Sequence, residues 1–286
     1  MTEACILGKI SSFSLFTLSV PYFVVRKIFC LFCRKRADLW LKSPLKSLIS
    51  PVKLPDGNMI FWSWEEDAFW LRDMIKEIHE EKAYEHFFQA KKDDVIVDVG
   101  ANIGIFTLKV SKIVGERGKV IAFEPQRNNY KLLIRNLGIN KCKNVVPINQ
   151  ALCDFNGKAT FYVKSVSLHN TLQPQANSET PTTSINIIGV RKLSSVLDNL
   201  NIDHVSFLKI DAEGSELEVL KGAEELLLTH QVRNIAVATY HSTEETQMIM
   251  EYLQKFGYAV HLNKNIGLAN FQRIHVFGSY RLKNAN

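Results

Sequence analysis

The feature that most constrains the fold is a strand–turn–helix unit at residues 95–114. The apolar run VIVDV at 95–99 is typical of a strand buried on both faces of a parallel sheet. It is followed by the turn Gly100-Ala-Asn-Ile-Gly104 and then by ten residues with a helical spacing of apolar side chains. A second unit follows, with a buried strand at 120–123 and a helix at 126–139. This repetition predicts βαβ units and a parallel sheet.

The same alternation continues to the C-terminal end of the sequence. Residues 153–190 interrupt it. Asn156-Gly157 is typical of a turn, and residues 159–163 after it are typical of a strand. The polar stretch 165–183 predicts a long inserted loop, and such loops are often functional. The remaining predicted elements are strands at 144–148, 205–210 and 234–238, helices at 193–200, 215–229 and 243–256, and a closing hairpin at 257–262 and 271–277.

Three regions are predicted from these patterns. Residues 1–50 form a basic, apolar arm, residues 51–92 form an extension, and residues 93–286 form the main α/β domain. Within the extension, 51–62 predicts a turn and a short strand, and 65–90 predicts one or two helices because it is rich in helix formers.

The formal charge of +6 belongs to the arm alone. Residues 1–50 hold eight Lys or Arg and two acids, whereas the rest of the chain holds 27 of each sign. A neutral main domain argues against nucleic acid as the partner. The uncharged run 10–25 is shorter than the roughly 20 apolar residues of a membrane-spanning helix and contains Pro21. Residues 10–36 therefore fit either contact with a membrane surface or packing on the main domain.

The five cysteines are an odd and scattered set, which does not indicate a disulfide framework. Cys30 and Cys33 have CxxC spacing, but no second pair or nearby His completes a zinc site. We therefore predict no structural metal and a cytoplasmic location, with peripheral contact at the cytoplasmic face of a membrane as the alternative that the arm allows.

The strongest functional signal is the turn at 100–104 with an acid on each side of it. Glycines let a ligand approach the backbone closely, and Glu124, at the end of the next strand, can accept hydrogen bonds from both ribose hydroxyls of a nucleoside. The turn lacks the G-x-G-x-x-G spacing of dinucleotide sites, with Asn102 in place of a glycine. Asp98 would repel a pyrophosphate but attract an ammonium group. These features favour S-adenosylmethionine (SAM) over NAD.

A second cluster of charges follows the strand at 205–210. Strand alternation places Lys209 and Asp211 on the same side, and Glu213 follows them at the carboxyl end of the sheet, where open α/β sheets bind ligands. Charged groups at the end of a buried strand are costly unless they are paired. A structural salt bridge between Lys209 and one of the acids is the alternative to a catalytic role.

Four segments resemble the FkbM-type methyltransferases: VIVDVGANIGIFTLKVSK, AFEPQ, NQALCDFNG and FLKIDAEGSELEVLKGAEELL. The resemblance covers about residues 84–240. It implies a class I methyltransferase fold, which is Rossmann-like, with a mostly parallel seven-stranded sheet, helices on both faces and a C-terminal antiparallel hairpin. It also implies SAM as the cofactor and, as the activity, methylation of a hydroxyl on a sugar, glycolipid or other small natural product.

The resemblance also implies roles for individual residues. Glu124 holds the ribose, Asp154 contacts the adenine with Ala151 beside it, and Lys209, Asp211 and Glu213 lie at the edge of the active site. The residues that line the methionine half of SAM are Asp98, Gly100, Asn102 and Gly104. One departure concerns the strand that ends at 236–240, which lacks the acid found in many relatives, although His241 follows it.

Transfer to a hydroxyl needs alignment of the acceptor and removal of a proton. Asp211 and His241 are the favoured bases, with Glu213 as a further candidate and Lys209 steadying charge. A divalent metal on Asp211 and Glu213 is allowed, but the sequence shows no full ligand set. The alternative functions are a nucleic-acid or protein methyltransferase, a non-catalytic SAM or nucleoside binder and, less favoured, an NAD-dependent oxidoreductase.

Overall fold

The computed structural model describes residues 51–62, 68–164, 170–173, 181–239, 242–266 and 272–280. All of them belong to one compact unit, Ser50–Asn286. The arm, and with it the predicted membrane contact of residues 10–36, lies outside the described residues. Of the helices within the described ranges, none combines the length and the apolar character needed to cross a bilayer.

The described chain begins with a small hairpin and a helix that precede the main sheet. Strand β1 (Val52–Lys53) pairs antiparallel with β2 (Met59–Ile60). Helix α1 (Ala68–Ile75) passes directly into a π-helix (Lys76–Glu80). The later strands and helices are β3 (Val95–Val99), α2 (Ile105–Val114), β4 (Lys119–Phe123), α3 (Arg127–Ile139), β5 (Val145–Ile148), β6 (Ala151–Leu152), β7 (Gly157–Lys164), β8 (Thr182–Arg191), α4 (Leu193–Asn199), β9 (Val205–Ile210), α5 (Glu216–Gly222), α6 (Glu224–Leu228), β10 (Val232–Ala238), α7 (Thr243–Lys255), β11 (Ala259–Ile266) and β12 (Gln272–Ser279).

A seven-stranded sheet organises the part of the chain that the structure describes. Its strand order is β11-β12-β10-β9-β3-β4-β5. The strands from β10 to β5 in this order are parallel, whereas β12 is antiparallel to both of its neighbours. This confirms the predicted mostly parallel sheet with a C-terminal antiparallel hairpin. The parallel pairing places the carboxyl ends of β9, β3 and β4 next to each other at one edge.

Side chains of the central strands alternate between two buried cores, one on each face of the sheet. Val97, Ile121 and Leu208 lie in one core, together with side chains of helices α4, α5 and α7. Their neighbours Ile96 and Val120 lie in the other, together with side chains of helices α2 and α3 and of the segment before β3. Helices therefore cover both faces, as predicted. Residues 51–92 contribute to the second core through Ile60, Trp62, Leu71, Ile78 and Tyr84.

The helical prediction for residues 65–90 is wrong beyond Glu80. The π-helix ends there, and Lys82 adopts a left-handed backbone conformation with φ of 50°. An isolated left-handed residue breaks the hydrogen-bond ladder of a helix. The predicted helix at 215–229 is also divided, because α5 ends at Gly222 and α6 begins at Glu224.

The prediction of a loop at residues 165–183 is wrong for its last two residues, because strand β8 begins at Thr182, and the strand itself was not predicted. Strand β8 pairs antiparallel with β7 in a second sheet of order β6-β8-β7. Residues 182–187 are exposed, including Ile185 and Ile187, so this part of the strand is held mainly by its backbone hydrogen bonds to β7. Residues 170–173 are also described, and Thr171 forms a bridge to Tyr162 of β7.

Candidate active site

The turn between β3 and α2 lies at the carboxyl edge of the sheet and is fastened to the next strand. The backbone N–H groups of Gly100 and Ala101 both donate to the carbonyl of Phe123, at 3.1 and 2.9 Å. Gly100, Asn102 and Gly104 have left-handed backbone conformations, with φ of 73°, 51° and 96°. Glycine accepts such angles without steric cost, and asparagine tolerates them better than most residues. The residues at 100, 102 and 104 therefore match the conformation that the turn requires.

Glu124 is buried beneath this turn. One carboxylate oxygen accepts a hydrogen bond from the backbone N–H of Asn102 at 2.8 Å, and the other accepts one from Gln126 at 2.8 Å. Burial raises the pKa of Glu124 to about 7, against the lowering effect of these two hydrogen bonds and of Lys209. Each oxygen keeps further acceptor capacity, because a carboxylate offers about four lone-pair positions.

Asp98 and Lys209 form a buried ion pair across β3 and β9. The two residues are direct partners in the parallel register, and the Lys209 Nζ atom lies 3.0 Å from Asp98 Oδ1. The Thr107 hydroxyl donates to the other oxygen of Asp98 at 2.5 Å, and Lys209 also donates to the Gly100 carbonyl at 2.9 Å. Burial alone would lower the pKa of Lys209, but Asp98 and Asp211 outweigh it and raise that pKa. Lys209 is therefore a charged residue held below the turn.

Asp211 follows β9 directly and is in close contact with the turn. A Cβ atom added at Gly100 would lie only 1.9 Å from the backbone oxygen of Asp211. The Asp211 carboxylate is partly exposed, and its Oδ2 accepts a hydrogen bond from the Tyr84 hydroxyl at 2.8 Å. Lys209 Nζ lies 3.8 Å from the same oxygen. The predicted placement of Lys209 and Asp211 on one side of the strand is thereby confirmed.

Two further carboxyl groups surround Asp211. Glu213 has a left-handed conformation with φ of 52°, and Glu216 accepts backbone hydrogen bonds from Ala212 and Gly214 at 2.8 and 2.9 Å. Burial, followed by the charges of Asp211 and Glu216, raises the pKa of Glu213 well above its usual value. Burial and the neighbouring Glu245 raise the pKa of Glu216 well above its usual value. Asp211 is therefore flanked by acids that hold their protons more tightly than usual.

The other predicted site residues lie around this centre or outside the described residues. Ala151 is buried in β6, and Asp154 is exposed just after it, with its Oδ1 3.3 Å from the Cys153 sulfur. His241 lies outside the described residues. No group of three or more His, Cys, Asp or Glu that could hold a metal ion occurs within the described ranges.

Sequence reasoning missed a second charged network next to this centre. Arg273 of β12 is buried and pairs with Asp73, with Glu77 at 3.4 Å and with Glu81 at 3.3 Å. His275 is also buried, 3.5 Å from Glu77, and packs edge-on against Tyr84. Asp73, Glu77 and Glu81 are spaced four residues apart, which places them on one face of a helix. Nothing in the sequence linked that face to a residue about 200 positions away.

The strand order, the glycine turn after β3 and the acid at the end of β4 define the class I SAM-dependent methyltransferase fold. The Methyltransferase FkbM domain matches residues 98–260, more than half of the chain. The protein therefore belongs to the FkbM methyltransferase family.

Individual relatives agree with this membership. The methyltransferase sdnD of Sordaria araneosa is 28% identical over 65% of this chain and 82% of its own length. The hexuronic acid methyltransferase AglP of Haloferax volcanii is 26% identical over 62% of this chain and 68% of its own length. The crystal structure of a methyltransferase FkbM from Methylobacillus flagellatus has the same fold, with 20% identity and a TM-score of 0.50. The likeness covers 68% of this chain and 45% of that one.

Proposed function

We propose that this methyltransferase transfers a methyl group from SAM to a hydroxyl group of a sugar, glycolipid or other small natural product. The observation that carries the proposal is the contact between the turn and Asp211. The Asp211 carbonyl approaches Gly100 so closely that only a residue without a Cβ fits there. A cofactor bound by the turn would therefore lie beside a carboxylate that can accept a proton.

The residues of the turn and of the next strand suit SAM. Gly100, Asn102 and Gly104 shape the turn that faces the methionine half, and helix α2 begins directly after it, so the positive end of the helix dipole lies at the turn. Asp98 is fully buried and paired with Lys209, so in this proposal it supports the turn that faces the methionine half and does not contact the ammonium group. Glu124 accepts the ribose hydroxyls with its remaining lone pairs.

The adenine end of the proposed site lies after β5. Asp154 is exposed there and available to hydrogen-bond with the base, while Ala151 provides an apolar wall. The C-terminal end of α5 packs tightly against this segment: a Cβ at Gly222 would lie 2.0 Å from the backbone oxygen of Cys153. This contact fixes the backbone from which Asp154 projects.

SAM supplies an activated methyl group on a sulfonium. The protein must then align the acceptor hydroxyl and take its proton. Asp211 is the favoured base because it is partly exposed at the edge of the turn, and Lys209 supports its charge from 3.8 Å. Burial and the charges of Asp211 and Glu216 raise the pKa of Glu213, so it holds its proton more tightly than an exposed glutamate and in its protonated form could donate a hydrogen bond to the acceptor. His241 is the alternative base.

A methyl-transfer assay with radiolabelled SAM and the full-length protein tests this proposal. The acceptors are methyl glucoside, methyl glucuronide, a glucosamine glycoside and a duplex RNA. The glucuronide is included because one relative bears the name of a hexuronic acid methyltransferase. We expect label on a glycoside, and a base-stable product that identifies an ether and not an ester. Transfer to RNA or to the amino group alone would contradict the proposal.

The affinity for SAM is expected to fall as the pH decreases through about 7. The charged form of Glu124 accepts the ribose hydroxyls better than the protonated form, and its pKa lies at about 7. Calorimetric titrations at pH 8 and pH 6 should therefore give dissociation constants that differ by about tenfold. The same titrations with Glu124→Gln account for ionisation of SAM and of other carboxyls. An equal pH dependence in this variant would show that Glu124 is not the responsible group.

A further inference from the structure

We propose that Tyr84 is a positioning residue for Asp211 and belongs to the active site of this enzyme. Tyr84 lies in the segment between the π-helix and β3, before the residues 98–260 that match the family domain. Its hydroxyl donates to Asp211 Oδ2 at 2.8 Å. The inference rests on the proposed function, because it assigns Tyr84 a role through the proposed base.

The position of Tyr84 is fixed on several sides. Its side chain is only 2% exposed, and its ring packs edge-on against Phe106 of α2 and His275 of β12, at centroid distances of 5.8 and 4.9 Å. Lys209 Nζ lies 5.2 Å from the centre of the ring. Because the ring is fixed by these contacts, its hydroxyl group is held in a single orientation that faces Asp211.

The hydroxyl of Tyr84 adds a second favourable contact to an oxygen that already faces Lys209. A hydrogen bond donated to a carboxylate stabilises its charged form and restricts its rotation. This matters here because the surroundings of Asp211 are rich in acidic groups. The ionisable groups that act in this cluster are Lys209 of β9, Asp98 of β3, Glu213 and Glu216 at the start of α5, and Glu77 of the π-helix.

Another buried tyrosine provides a matched control. Tyr258 is 3% exposed, and its hydroxyl donates to the backbone oxygen of Val232 at 2.5 Å. Tyr84→Phe and Tyr258→Phe each remove one buried hydroxyl and keep the ring. A purely structural role predicts that both variants lose stability to a similar extent and leave Asp211 unchanged.

The test is a carbon-13 NMR titration of the full-length protein labelled at the aspartate carboxyl carbon. The Asp211 signal is assigned by its loss in Asp211→Asn, and spectra are recorded from pH 8 to pH 4. Tyr84→Phe should move the titration of this signal to higher pH by about one unit, whereas Tyr258→Phe should not move it. Superimposable Asp211 curves in the wild type and in Tyr84→Phe would overturn the proposal.

Calorimetry separates this inference from the proposed function. SAM should bind Tyr84→Phe as tightly as it binds the wild type, because Tyr84 acts on the acceptor side. Loss of SAM binding only in Tyr84→Phe would contradict the assigned role. Failure of the wild-type protein to bind SAM would contradict the proposed function, and the NMR titration would still decide whether Tyr84 controls Asp211.

Discussion

Replacing Gly100 with Ala should destabilise the protein severely and abolish SAM binding. The new Cβ would lie 1.9 Å from the backbone oxygen of Asp211 and 3.0 Å from its carbonyl carbon. It would also hold an alanine at φ of 73°, which costs about 1–2 kcal/mol by itself. Because the obstacle is backbone, relief of the clash must displace β9 from the turn. We expect the free energy of unfolding to fall by about 4 kcal/mol or more.

Gly257→Ala is the matched control for this experiment. Gly257 has a similar φ, 80°, but no atom lies within 4 Å of the Cβ that would be added. It should therefore lose only the conformational cost of about 1–2 kcal/mol and retain SAM binding. Denaturant unfolding and SAM calorimetry measure both effects. An equal loss of stability in the two variants would contradict the close contact between the turn and Asp211.

Replacing Asp211 with Asn should nearly abolish methyl transfer. Asn keeps the size of the side chain but cannot accept the proton of a hydroxyl. The loss of a general base typically lowers the rate by about 100- to 10,000-fold. The SAM dissociation constant should stay within about threefold of the wild-type value, because Asp211 touches the turn through its backbone.

Asp203→Asn is the control for this substitution, since the side chain of Asp203 is 93% exposed and lies before β9. It should leave both the rate and the SAM affinity unchanged. If Asp211→Asn retained most of the activity, Asp211 would not be the base. If, in that case, His241→Asn lost its activity, His241 would be the base.

The central part of the fold was predictable because local and long-range preferences coincide there. The strands at 95–99, 120–123 and 205–210 are mostly apolar, and each is followed by a clear turn or an acid. The helix predicted at 105–114 has the same bounds in the structure, since Gly104 and Gly115 flank it. Strand β8 was missed because its first residues, Thr182, Thr183 and Ser184, continue the polar stretch that precedes them.

The candidate site was predictable only where its residues lie close together in sequence. Asp98, Gly100, Asn102 and Gly104 share one turn, and Glu124 follows at the spacing of one βα unit. The partners of Lys209 and Asp211 were not predictable, because they depend on tertiary register. Asp98 faces Lys209 across two parallel strands, and Tyr84 reaches Asp211 over 127 positions. Such contacts leave no periodic trace in the sequence.

The most direct test of the central claim is a calorimetric titration of SAM and, separately, of NAD into the full-length protein at pH 8. Wild type should bind SAM saturably and show no saturable binding of NAD. In Glu124→Ala the SAM dissociation constant should rise at least about tenfold, because hydrogen bonds to a charged group are lost. Glu116→Ala, a change of an exposed acid, should bind SAM like the wild type. Binding of NAD without SAM, or SAM affinity unchanged in a folded Glu124→Ala, would contradict the account.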